Sequence, residues 1–92
     1  MRSIMTYTLI IPPSIEKTLD KLPVSIRNRI LSRIEYLKIV PRPPGMRKLK
    51  GEDDLFRIRI GDYRIIYTIE DMELVIIIIR IGKSNDVYRK RF

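Results

Sequence analysis

Arg57, Arg59 and Arg64 crowd the chain on either side of the dipeptide Gly61-Asp62, in a sequence that has neither histidine nor cysteine. A guanidinium fork takes two oxygens of a phosphate or carboxylate at once and stays protonated to above about pH 12. A cluster of three is therefore suited to holding an anion and stabilising charge, and unsuited to accepting a proton. Lys48 and Lys50 upstream, with Arg80, Lys83, Arg89, Lys90 and Arg91 downstream, extend the positive set. A phosphate backbone is the ligand that repeated guanidinium forks fit best, so nucleic acid is the favoured ligand class. The bland alternative is a solvated face whose arginines pair with acids of neighbouring segments. Against it, the nearest acids, Glu52, Asp53, Asp54 and Asp62, fall in turns rather than between the arginines. The missing residue types bound the chemistry further. No disulfide, zinc–thiolate site or cysteine nucleophile is available, and the usual imidazole base and commonest metal ligand are gone. No cofactor or metal is expected. Tyr88, in the basic tail, is open to a stacking or proton-handling role, or to docking on a sheet edge.

These residues have to be positioned by one small domain spanning residues 1–92, because a chain of 92 residues and 11.0 kDa has surface enough for a single core. A net charge of +8 beside 45% hydrophobic residues describes a folded basic protein rather than a disordered tail. No secretory signal is visible at the N-terminus, which makes the cytoplasm the expected location. The longest apolar run, residues 74–79, is far short of the roughly 20 needed to span a membrane. Alternation over residues 6–11 reads as a first strand, stopped by Pro12-Pro13. Ser14 is the expected N-cap of a helix to about residue 22, with Ile15, Leu19 and Leu22 on one face. Pro23 opens a second helix on which Ile26, Ile30, Ile34 and Leu37 recur. Its other side carries Arg27, Arg29 and Arg33, for which a solvated face is the simplest reading. The period then changes from 3.6 to 2, with strands expected at 55–60, 63–69 and 74–81. If Gly61-Asp62 is a two-residue hairpin turn, Ile60 pairs with Tyr63, Arg59 with Arg64, Ile58 with Ile65 and Arg57 with Ile66. That register collects Phe56, Ile58, Ile60, Tyr63, Ile65, Tyr67 and Ile69 on a core face and the three arginines on the opposite one. The expected architecture is α+β: an N-terminal strand, a helical hairpin, then an antiparallel meander, giving a roughly four-stranded sheet with the helices on one face.

The succession Lys48-Leu49-Lys50-Gly51, Leu55-Phe56-Arg57-Ile58-Arg59-Ile60-Gly61-Asp62-Tyr63-Arg64-Ile65-Ile66-Tyr67, then Arg80-Ile81-Gly82-Lys83 and Val87-Tyr88 resembles the RelE/ParE superfamily of toxins from toxin–antitoxin operons. The resemblance covers the whole chain in element order, and its specific part is residues 48–88. It implies a RelE-like microbial RNase fold and a small, acidic, RelB-like antitoxin as partner. It is closer to the RelE branch, whose toxins cut messenger RNA in the ribosomal A site, making the ribosome and mRNA partners and a membrane none. RelE-type cleavage, an attack of the ribose 2′-OH on the adjacent phosphorus, requires a proton acceptor, charge stabilisation at phosphorus and a proton donor. The resemblance carries Arg64 over as phosphate clamp, Arg57 and Arg59 onto positions where relatives place lysines, and Tyr88 onto the C-terminal tyrosine. Lys48, Lys50, Arg80 and Arg89 are the implied RNA contacts. Arg59 stabilises charge but is a poor base. Where relatives often carry a basic pair after the strand-ending glycine, this chain has Lys83 and then Ser84, so Lys83 becomes a candidate proton carrier and completes the catalytic set. A ParE-like gyrase inhibitor and a catalytically weak RNA-binding homologue remain as alternatives.

Overall fold

The computed structural model describes residues 6–49, 51 and 54–83. β1 (Thr8–Ile10) leads into α1 (Pro13–Asp20) and α2 (Val24–Tyr36). β2 (Arg47–Lys48), β3 (Phe56–Ile60), β4 (Tyr63–Glu70) and β5 (Val75–Lys83) follow. The sheet runs β1-β5-β4-β3-β2, all neighbours antiparallel except the β1–β5 pair. This is the expected α+β class with one strand more: β2 is two residues long, too short to show an alternation in sequence.

Each helix starts on its proline. Pro12 and Pro23 occupy the N-cap positions, and neither start has a side-chain cap. Ser14 is thus inside α1 rather than capping it, and its carbonyl accepts a hydrogen bond from Thr18 Oγ1 at 3.1 Å. The physical reason is Pro13, which is pre-set for the first helical turn and lacks the N–H that a cap would satisfy. α1 delivers Ile15 and Leu19, and α2 delivers Ile30 and Ile34, to a core that takes Ile58 and Ile60 from β3, Ile65 and Tyr67 from β4, and Ile76, Ile78 and Ile81 from β5. Burying each such side chain contributes roughly 1.5–3 kcal/mol. Phe56, Tyr63 and Ile69 pack against this core while partly exposed.

The proline-rich segment 41–45 is held by two polar anchors. Tyr67 donates its hydroxyl to the Pro41 carbonyl at 2.9 Å, and burial pushes its pKa up to about 12. Asp71 accepts from Tyr7 at 2.7 Å and from both terminal nitrogens of Arg42 at 2.8 and 3.3 Å, which holds its carboxyl below the ordinary aspartate value. Arg42 also lies 5.9 Å from the Phe56 ring centroid. Together these contacts tie β1, the proline segment and the β4–β5 turn. No helix among the described residues is long and apolar enough to cross a membrane.

Candidate functional site

The hairpin between β3 and β4 fixes the site. Gly61 has φ +58° and Asp62 is not in the positive-φ region, the pattern of a II′ turn with glycine first. The resulting register pairs Ile60 with Tyr63, Arg59 with Arg64, Ile58 with Ile65 and Arg57 with Ile66, the pairing expected from sequence. Because side chains alternate across a strand, Arg57, Arg59 and Arg64 share the sheet face opposite the helices.

The neighbouring strands enlarge this set. Arg47 pairs with Arg57 and Arg80 pairs with Ile66, so Arg47, Arg57, Ile66 and Arg80 form one row across β2, β3, β4 and β5. Arg59, Arg64 and Gly82 form the next row, where glycine leaves open the surface beside Arg64. Arg80 reaches this face through a break in the β4–β5 register between Ile66 and Tyr67. Ile78 opposes Tyr67 and Arg80 opposes Ile66, so Ile79 is the extra residue of a bulge. In a regular ladder Arg80 would oppose Ile65 and point into the core. Ile66 is fully buried yet lies on the arginine side, outside the main core. Arginine stems flank it on both neighbouring strands, the usual way long cationic side chains cover apolar surface.

Arg57, Arg64 and Arg80 are half-buried and each interacts with other groups of the chain. Nε of Arg57 and both Nε and Nη1 of Arg64 are screened from solvent. Arg59 is exposed, with Nε donating to the Gly61 carbonyl at 3.0 Å. Like charges sit directly opposed in the Arg47–Arg57 and Arg59–Arg64 pairs, which costs some tenths of a kcal/mol up to about 1 each. A bound polyanion reverses that cost, and charge shielded from water acts on it more strongly than charge in bulk solvent. Among the described residues no group of three or more carboxylates is placed to hold a metal ion.

Not every residue singled out from sequence joins this face. Lys48 pairs with Phe56 and so belongs to the helix side of the edge strand β2. Arg47, which sequence reasoning missed, takes the arginine side, and only the pairing of this short strand reveals it. Lys83 pairs with Tyr63, again the helix side, but at the exposed end of β5. There, beyond the stretch paired with β1, a groove of about 790 Å³ runs between α1 and β5. Ser14, Thr18, Tyr63, Arg80 and Lys83 are among its walls, so the lysine and one member of the arginine row both border it. Lys50, Tyr88 and Arg89 lie outside the described residues.

Comparison with known proteins adds to this geometry. Residues 9–88 match the family model described as the ParE toxin of the type II toxin–antitoxin system parDE. A Methanocaldococcus jannaschii protein bearing the toxin name RelE1 is 32% identical over 88 residues, covering 92% of this chain and 98% of its own. Toxin RelG of Mycobacterium tuberculosis is 32% identical over 93 residues, covering 94% and 100%. In the crystal structure of the archaeal RelE–RelB complex from Pyrococcus horikoshii, a chain 34% identical to this one superposes with a TM-score of 0.77, covering 86% of this chain and 96% of its own.

Proposed function

The chain belongs to the ParE toxin family of type II toxin–antitoxin systems and is RelE-like in sequence and fold, and from that membership we propose that it is a ribosome-dependent endoribonuclease that cuts messenger RNA, restrained by a small acidic antitoxin. The observation that carries this reading is the arginine face: five guanidiniums in two adjacent rows across four strands. In the proposed reaction the 2′-oxygen attacks the adjacent phosphorus, the bond to the 5′-oxygen breaks, and a cyclic phosphate and a free 5′-hydroxyl result. Arg64, facing the space above Gly82, clamps the reacting phosphate, and Arg57 and Arg59 stabilise its growing negative charge. Arg47 and Arg80 hold the flanking backbone. Proton transfer is assigned to Lys83, from the β5 edge, and to Tyr88. The ribosome supplies the orientation of the substrate that a face of arginines alone does not. The antitoxin assignment is supported by the likeness to toxins solved with RelB antitoxins.

Programmed ribosomes carrying a defined messenger, with cuts mapped by primer extension, test the reading. Cuts in phase with codons are expected, with far weaker cleavage of naked RNA; rapid ribosome-independent degradation would overturn it. Lys83→Ala and Tyr88→Phe are each expected to slow cutting by at least about 100-fold, the usual scale of general acid–base catalysis, while leaving RNA affinity within about threefold. Full-speed cutting by either variant removes that residue from the mechanism. The name of the matched family favours one second reading, a gyrase-directed toxin. A supercoiling assay separates the two: inhibition of gyrase without RNA cuts would establish the second.

A further inference from the structure

We propose that the cleft between α2 and the β3–β4 turn is a second RNA-backbone contact, in which Arg29 and Arg33 take phosphates flanking the one held on the sheet face. The inference rests on the RNA-cutting reading above. α2 carries Arg27, Arg29 and Arg33 against a single acid, Glu35. Glu35 is engaged 3.3 Å from Lys38, and Arg27 lies 3.8 Å from Asp20. Among the described residues Arg29 and Arg33 form no ion pair. They stand one turn apart on an exposed helical face, where like charges repel and weaken the helix. Two unneutralised guanidiniums at that spacing suit a chain of anions better than a single one.

The surroundings supply the remaining donors. Asn28, Arg29, Ser32 and Arg33 rim a cleft of about 360 Å³ floored by Ile60. A second hollow of about 170 Å³ continues past Arg29 and Ile60 to Gly61 and Tyr63, with Asp62 its only acid. An amide, a hydroxyl and two guanidinium forks match the oxygens of phosphate and ribose. Ile60 is the one apolar residue among those lining the cleft itself, and Ile26 and the Tyr63 ring join it only in the adjoining hollow, a small apolar surface beside two guanidiniums, an amide and a hydroxyl. The cleft is also continuous with the sheet site. A β-carbon at Gly61 would lie 3.7 Å from Arg29 Nη1, and Arg59 Nε donates to the carbonyl of the same glycine. The positive surface therefore passes round the turn from one side of the sheet to the other, and a strand bound on the sheet face is led towards α2.

The test measures the affinity of the full chain for uncleavable 2′-O-methyl RNA of three and of twelve nucleotides across a salt series. Parent, Arg29→Ala/Arg33→Ala and Arg57→Ala/Arg64→Ala proteins are compared, with melting curves to confirm folding. For the twelve-mer, loss of two phosphate contacts lowers the slope of log affinity against log salt by about 1.4 in the α2 variant. The three-mer is expected to bind that variant like the parent. An unchanged twelve-mer slope overturns the second contact and leaves the sheet-face reading standing. Conversely, undiminished binding by Arg57→Ala/Arg64→Ala overturns the sheet-face reading, while the α2 variant still decides the cleft. Loss of affinity for an acidic peptide with RNA binding intact would assign the cleft to a protein and also overturn the proposal. No RNA binding by the parent sinks both.

Discussion

At the scale of single residues, Ile66 and Tyr67 show how two neighbours serve opposite faces of one strand. Ile66 is buried on the arginine side, in register with Arg57 and Arg80. Ile66→Ala is expected to cost about 2–5 kcal/mol, read in a denaturant titration, and to weaken RNA binding because the flanking guanidiniums lose their packing surface. Loss of stability with unchanged RNA affinity would make Ile66 merely structural. Tyr67, fully buried on the core side, bonds the Pro41 carbonyl. Its hydroxyl ionises near 10.0 when exposed and near 12 in the fold. Stability from this group is therefore complete below pH 10 and is lost as pH rises through about 12. Tyr67→Phe is expected to cost about 0.5–1.5 kcal/mol at neutral pH and to flatten the decline above pH 10. The side taken by Arg57, Arg59 and Arg64 was legible because they flank a turn whose length sets their parity.

At the scale of elements, the β3–β4 hairpin carried most of the legible information, since a two-residue turn fixes every pair that follows it. Gly61 is its hinge. The space beside it admits a β-carbon at ordinary contact distance, so Gly61→Ala is expected to cost only the left-handed backbone penalty, about 1–2 kcal/mol in a thermal melt. A neutral result would mean that the turn does not need glycine. β5 was less legible. Its isoleucine run has no alternation to reveal a bulge, so the turning of Arg80 onto the arginine face, and of Lys83 onto the row of Tyr63, emerged only from the pairing. β2 was hidden by its brevity, and with it the opposite placements of Arg47 and Lys48. Ser14 was misread because serine is a common cap, whereas the two prolines before it already set the start of α1.

At the scale of the whole molecule, the two sides of the sheet divide the labour. One side holds the apolar core and both helices; the other carries five arginines in two adjacent rows, the candidate site. The Tyr7–Asp71–Arg42 contacts join the residue before β1 and the proline segment to the β4–β5 turn, at the opposite end of β4 from the β3–β4 turn. The excess of +8 alone indicates only a basic protein; distribution over strands turns part of it into a candidate site. The most direct test is single-turnover cutting of ribosome-bound messenger by the parent and by Arg57→Ala/Arg64→Ala, both shown folded by near-ultraviolet circular dichroism. Removal of two charge-stabilising groups is expected to slow cutting by at least about 100-fold. Cutting at the parent rate by the folded double variant would contradict the assignment of the arginine face as the catalytic site.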